Sequence, residues 1–264
     1  MSGSGNDFVF VDARDDAALR AKVRDPDFVR ELCAPHTGIG ADGIAALLRS
    51  DSADFSLLYV NRDGTVGELC GNASLCATRL AVELGVASPE GLAFDTDAGV
   101  IRARFRDGEP EIDLQPPTGV RPNAGIEAAS GEVRIGFANT GVPHLVIRTT
   151  SVDSVPLETR GPLLRHHPSL PAGANVNWVA PDGSGAWRMR TYERGVEGET
   201  LACGTGAVAA ALLLSTWGET TSPVRILTTS NRTLTVTLRE TPGGLVPSLA
   251  GEGRIVFDGE LREA

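Results

Sequence analysis

Lysine is almost missing: Lys22 is the single one in 264 residues. A Schiff-base mechanism, which needs a lysine amine, has that one side chain to draw on. Positive charge is scarce in general, with 24 Lys and Arg against 34 Asp and Glu and a net charge of −10. An acidic surface argues against nucleic acid and anionic membrane as partners. Long apolar runs are also lacking. The longest, Ala207–Leu214, is far short of the roughly 18 residues that span a bilayer. The four cysteines, Cys33, Cys70, Cys76 and Cys203, are too few and too scattered for a secreted disulfide framework. Met1–Asp7 does not read as a signal peptide. The expectation is a cytoplasmic chain with reduced thiols.

What is plentiful is glycine, 31 residues against an average share of about 7%. That fits many tight turns and short strands. Two stretches stand out because they repeat one plan. Glu68-Leu69-Cys70-Gly71-Asn72-Ala73-Ser74-Leu75-Cys76-Ala77 leads into an apolar helix that Gly85 stops in the position of a C-terminal cap. Glu199-Thr200-Leu201-Ala202-Cys203-Gly204-Thr205-Gly206 leads into Ala207–Leu214, a helix with no polar face and so buried on every side. Each reads strand, turn, Cys-Gly-polar-small, helix. The repeat predicts two similar halves.

In chain order, strands are expected at Phe8–Asp12, Ile44–Leu48 and Phe55–Asn61, with a helix over Pro26–Cys33 because Asp25-Pro26 reads as N-cap and first helical residue. The first Cys helix spans about Gly71–Leu84. Leu92–Asp95, Gly99–Arg106 and Glu111–Leu114 form a meander, with a hairpin signal at Asp107-Gly108. Gln115–Gly119 is the linker candidate. The second half offers strands at Val133–Ala138, Leu145–Ile147, Ala174–Val179 and Ala186–Tyr192, a short helix at Leu157–Leu164, and late strands at Val224–Thr228, Leu234–Leu238 and Arg254–Phe257. The halves are placed at 1–115 and 116–252, with a C-terminal strand within 253–264 returning to the first half.

A cysteine at a helix mouth sits among backbone N–H groups and the positive end of the helix dipole, which favour a thiolate or a bound carboxylate. Two such thiols on one substrate can move a proton between opposite faces of one carbon. Cysteine suits both base and acid because its reference pKa, about 8.5, lies near neutrality. Gly71, Asn72, Gly204 and Thr205 are the natural N–H donors to the reacting carboxylate, since small side chains admit close approach. The plain alternative is that a cysteine beside small residues is core filler. Cys33 and Cys76 read that way. His166-His167 reads as solvated loop, and His36, opening a Gly-rich loop, as structural or functional. A metal site from Cys70, Cys76 and a histidine is weak, because C-x5-C is not a usual zinc spacing.

The stretches GSGNDFVFVD, HTGIGADGI, NRDGTVGELCGN, NTGVPHLV, NVN and YERGVEGETLACGTGA resemble the diaminopimelate epimerase family over nearly the whole chain and in order. These are cofactor-independent amino-acid epimerases that interconvert LL- and meso-diaminopimelate. The resemblance implies an α/β fold of two pseudo-symmetric halves, each a mostly antiparallel β layer wrapped round a central helix, with the active site in the cleft between them. It implies no cofactor, no metal and a homodimer. Carried over, Cys70 and Cys203 match the catalytic thiols, and Gly71-Asn72 and Gly204-Thr205 the carboxylate cradle. Asn6, Asn61, Asn175, Glu193 and Arg194 match positions that hold the rest of the substrate. His144 and Glu193 match side chains that bias thiol protonation. The sequence departs from the family at Ala73 (usually Gly), Leu75 (commonly Arg) and Val142 (often Asn), and it enters GSGNDF with a truncated first strand. Two other readings stay open. One is a proline or hydroxyproline racemase-like enzyme of the same two-cysteine superfamily. The other is a non-catalytic redox or metal sensor using Cys70 and Cys203.

Overall fold

A computed structural model describes residues 1–67, 69–242 and 244–261. Glu68 of the first Cys stretch and residues 262–264 of the C-terminal segment lie outside the described residues. The chain divides into two compact units, Met1–Ile112 with the chain from Ala250 onward, and Asp113–Leu249.

The first unit runs β1 (Ser2–Gly3), β2 (Asn6–Asp12), α1 (Ala17–Lys22), α2 (Pro26–Cys33), β3 (Gly43–Leu48), β4 (Phe55–Asn61), β5 (Val66–Gly67), α3 (Gly71–Glu83), β6 (Leu92–Thr96), β7 (Gly99–Arg106) and β8 (Glu109–Asp113). β1 pairs antiparallel with β2, β2 parallel with β3, and β3 antiparallel with β4. β4 carries β5 antiparallel and β6 parallel, and β7 and β8 continue the meander. All six residues of β3 are buried, so the strand is covered on both faces, as its unbroken apolar run requires. Ile44, Ala46 and Leu48 meet α2 through Val29, Leu32 and Cys33. On the α3 side, Phe8, Ala73 and Cys76 form a second cluster, with Tyr59 and Cys70 packed against it.

The second unit repeats this plan: β9 (Thr118–Arg121), β10 (Glu132–Asn139), β11 (Pro143–Thr149), α4 (Leu157–Arg165), β12 (Asn175–Pro181), β13 (Trp187–Glu193), β14 (Gly198–Thr200), α5 (Gly204–Thr216), β15 (Val224–Leu227), β16 (Thr233–Thr241) and β17 (Gly244–Ala250). β10 and β11 are antiparallel, β11 and β12 parallel, β12 and β13 antiparallel. β13 carries β14 antiparallel and β15 parallel. The order of pairings matches the first unit step for step. Even the turns match: Gly5 and Gly141, each just before an equivalent strand, have φ of 113° and 107°, which a side chain would oppose. Val176, Trp178 and Ala180 pack with Leu157 and Leu164 of α4. The opposite face of β12 meets α5, whose Gly206–Leu214 stretch is entirely buried, as its apolar sequence demands. Each buried leucine there contributes on the order of 1.5–3 kcal/mol.

α2 begins where the Asp25-Pro26 signal puts it. The Asp25 carboxylate accepts the Asp27 N–H at 3.0 Å and Pro26 opens the helix. Asp25→Ala should lower unfolding stability by about 1 kcal/mol, read as a shift in urea midpoint at constant slope. An unchanged midpoint would show that the cap is not used.

Several local expectations need correction. The first long strand starts at Asn6, and of its residues only Phe8 is fully buried, so it is not a buried strand throughout. Thr118–Arg121, at the end of the proposed linker, pairs with β10. Arg254–Phe257 forms no strand: Arg254 makes one isolated bridge to Ser2, and Ile255, Val256 and Phe257 are exposed. The truncated start does form a strand, the two-residue β1. α1, capped by the Asp16 carboxylate on the Leu19 N–H, and β17 were not foreseen. No helix is long and apolar enough to cross a membrane among the described residues.

Candidate active site

Cys70 and Cys203 occupy the same structural position, the N-cap of α3 and of α5. Their backbones agree closely, φ −122° and ψ 113° for Cys70 against −137° and 106° for Cys203. The Cys70 carbonyl takes the Ser74 N–H, and the Cys203 carbonyl the Ala207 N–H, both at 2.9 Å. Neither side chain caps its helix. The N–H groups of Gly71, Asn72 and Ala73, and of Gly204, Thr205 and Gly206, therefore have no partner within their helices. Each cysteine thus stands beside three donors and a positive dipole end, which stabilise a thiolate or a carboxylate.

Around Cys70 the first unit arranges a directed chain of amides. Asn72 Nδ2 donates to Asn6 Oδ1 at 2.6 Å, and Asn6 Nδ2 donates to Asp42 Oδ2 at 2.9 Å. A carboxylate can only accept, so Asp42 fixes the Asn6 amide, and Asn6 in turn fixes Asn72. This leaves Asn72 Oδ1 buried with no hydrogen-bond partner, an atom that a ligand donor would satisfy. Asn61, at the end of β4, donates Nδ2 to the Thr65 carbonyl and hydroxyl, both at 3.1 Å. Its nitrogen is thus held in its own turn.

Around Cys203 the second unit places His144 and Thr205 together. His144 Nε2 lies 3.0 Å from Thr205 Oγ1, which lies 3.7 Å from Cys203 Sγ. The Thr205 carbonyl accepts the Thr140 hydroxyl at 2.9 Å. Burial, with the nearby Arg194 charge, drives the His144 pKa down to about 3. The ring is neutral at any physiological pH and acts as a hydrogen-bonding group rather than a counter-ion. Asn175 Oδ1 accepts the Arg194 N–H at 2.8 Å, and Arg194 Nη1 reaches the Ala172 carbonyl at 3.2 Å. The Glu193 carboxylate accepts the Thr200 hydroxyl at 2.6 Å.

The expected residues therefore fall into two groups. Cys70, Gly71, Asn72 and Asn6 are joined in one unit, and Cys203, Thr205, His144, Asn175 and Arg194 lie in the other. The other two thiols differ from these. Burial, helped by the Asp7 and Asp42 charges, pushes Cys33 up to about 11, and burial pushes Cys76 up to about 12. Ala73 and Leu75 are buried in α3, so both departures from the family face the interior. Among the described residues, no three His, Cys, Asp or Glu side chains converge as metal ligands would. Asp42, Asn177, Thr191 and Thr140 were missed. The signal for Asn177 was available, since Asn175 and Asn177 alternate with apolar residues and so share one strand face.

The doubled arrangement places the chain in a class of pseudo-symmetric α/β folds. A solved phenazine biosynthesis protein of the PhzF family from Bacillus anthracis superposes with a TM-score of 0.72 over 95% of this chain and 91% of that one, at 16% identity. The particular family follows from sequence. The diaminopimelate epimerase family model matches residues 1–118 and 136–252. A diaminopimelate epimerase of Gemmatimonas aurantiaca is 47% identical over 99% of this chain and 97% of its own length. One of Aquifex aeolicus is 42% identical over 100% and 96%. The chain belongs to the diaminopimelate epimerase family. It is an isomerase, which sets aside the non-catalytic sensor.

Proposed function

We propose that this protein converts LL-2,6-diaminopimelate to meso-diaminopimelate, for lysine and peptidoglycan precursor synthesis, by a two-base proton transfer at one α-carbon. One of Cys70 and Cys203 takes the α-proton as thiolate, and the other returns a proton from the opposite face as thiol. The observation that carries this reading is the matched pair of N-cap cysteines in a member of this family. The negative charge that builds on the substrate carboxylate as the α-carbon loses its proton is met by fixed dipoles, the N–H groups of Gly71, Asn72, Gly204 and Thr205. Asn6, Asn61, Asn175, Glu193 and Arg194 hold the distal amino and carboxylate groups. No cofactor takes part in the proposed steps. Lys22 is exposed at the end of α1, with its ammonium over the Phe28 ring, and is unsuited to a Schiff base. The protein works in the cytoplasm as a homodimer. The exposed Val256, Phe257 and Leu261 offer apolar surface that a second copy would cover, and sedimentation tests this.

The direct test is incubation of the purified protein with LL-diaminopimelate followed by chiral analysis. Appearance of the meso isomer is expected, and none would overturn the reading. A companion experiment addresses cofactor independence. Activity should persist in an aminooxy reagent and disappear on thiol alkylation. Full inhibition by the aminooxy compound would point to a carbonyl cofactor instead.

A further inference from the structure

Beneath Cys203, buried polar groups form a hydrogen-bond chain whose direction is fixed by Asn177. This residue lies on the face of β12 that meets α5 and is completely buried. Its Nδ2 donates to the Leu145 carbonyl at 2.9 Å and lies 3.1 Å from His144 Nδ1. Its Oδ1 accepts the Thr191 hydroxyl at 2.9 Å. Because the Leu145 carbonyl can only accept, the –NH2 end must point there, and hence also at His144. Nδ1 is then the bare nitrogen and Nε2 carries the proton. Thr205 Oγ1 accepts from Nε2, so its one hydroxyl proton is left for the Cys203 sulfur. Space for this is made at Gly206, where a Cβ would lie 2.4 Å from Asn177 Oδ1 and 3.1 Å from Cys203 Sγ.

The plain reading is that Asn177 is a satisfied core amide. The first unit argues against a purely structural need. Ala45 pairs with Tyr59 there as Asn177 pairs with Thr191, and Phe8 pairs with Gly43 as His144 pairs with Asn175. The same half-fold thus closes with alanine in the place of Asn177 and phenylalanine in the place of His144. We propose that Asn177 is a positioning residue for the reaction, holding His144 in the Nε2–H tautomer so that Thr205 donates to Cys203 and favours its thiolate form.

This rests on the reading of Cys203 as an acid–base group. The charge that acts on His144 is Arg194, and the adjacent Glu193 carboxylate accepts the Thr200 hydroxyl. Of the charged side chains on other strands packed against α5, Arg148 pairs with Glu219, Glu132 with Arg160 and Arg239 with Asp113. Arg134 donates to the Trp217 carbonyl and Arg225 to the Ser184 carbonyl, and Glu240, near the end of β16, is exposed.

Two measurements test the proposal without relying on turnover. In the unmodified protein, nitrogen-15 NMR of the four histidines should find one imidazole bare at Nδ1 and protonated at Nε2 from pH 5 to 9. An Nδ1–H tautomer for His144 would overturn the proposal. The second measurement is the pH dependence of iodoacetamide alkylation of Cys203 in a Cys70→Ser background. Adding Asn177→Asp replaces the donor with an acceptor, draws the imidazole proton to Nδ1, and turns the Thr205 hydroxyl toward Nε2. The Cys203 midpoint should rise by one pH unit or more, while Cys70, read in Cys203→Ser, should not move. An unmoved Cys203 midpoint, or an equal rise at both thiols, would overturn the proposal. If Asn177→Asp does not fold, the NMR result on the unmodified protein decides. A tautomer and midpoint as expected in a protein that leaves LL-diaminopimelate unchanged would sink the functional reading and leave this one standing.

Discussion

In heavy water, meso-diaminopimelate formed early from the LL isomer should carry deuterium at the inverted carbon, while the remaining LL substrate stays nearly unlabelled. The asymmetry follows from two bases rather than one. A single base that removed the α-proton would exchange it with solvent and return deuterium to either face, so substrate and product would label together. With Cys70 and Cys203 as separate groups, the thiol that delivers to product was equilibrated with solvent beforehand, and the proton removed from substrate sits on the other. Cys70→Ala and Cys203→Ala should each abolish epimerisation. General acid–base groups typically supply about 10²–10⁴-fold, and Cys33 and Cys76, buried with raised pKa values, are unsuited to replace a lost thiol. Any residual exchange should be of opposite isomers in the two variants. A single variant that still epimerises near the normal rate, or equal label in recovered substrate and product, would remove the paired-thiol mechanism.

Much of this was legible from local sequence. Asp25-Pro26 placed α2, and the apolar stretch Ala207–Leu214 announced a helix buried on all sides because no polar residue interrupts it. The two Cys-Gly steps disclosed the doubled plan. What was not legible depends on partners distant in sequence. β17 and β9 are polar or mixed strands whose identity comes from pairing rather than from a clean period of two, and Gly244–Ala250 contains a proline that weakens the signal. α1 was hidden because its six residues have no buried face. The converse error, a strand at Arg254–Phe257, came from an apolar run that the first unit leaves exposed. At the site, cysteines and glycines were found because their chemistry is marked by type and spacing. Asp42 and Asn177 were not, since each meets its neighbour, Asn6 or His144, only through the register of β2 with β3 or of β11 with β12.

The remaining large effect is expected at Arg194. It sits just past β13, at the turn where Glu193 pairs with Gly198 across to β14. Its backbone N–H is anchored by Asn175 Oδ1, and one arm of the guanidinium is steadied by the Ala172 carbonyl. Anchoring at both points presents a planar fork suited to bidentate binding of a carboxylate. Diaminopimelate has a second carboxylate remote from the reacting carbon. Proline and hydroxyproline, the substrates of the competing reading, do not. Arg194→Lys keeps the charge and loses the fork, so kcat/KM for LL-diaminopimelate should fall by about 2–4 kcal/mol in transition-state terms, roughly 30- to 1000-fold. The alkylation midpoints of the two thiols should change little, because the positive charge beside His144 is retained. Asn175→Ala should reproduce part of the loss by releasing the Arg194 backbone. Proline turnover by the unmodified protein in the absence of diaminopimelate turnover, or an Arg194→Lys variant at full activity, would show that the distal end of the substrate is not read by this arginine.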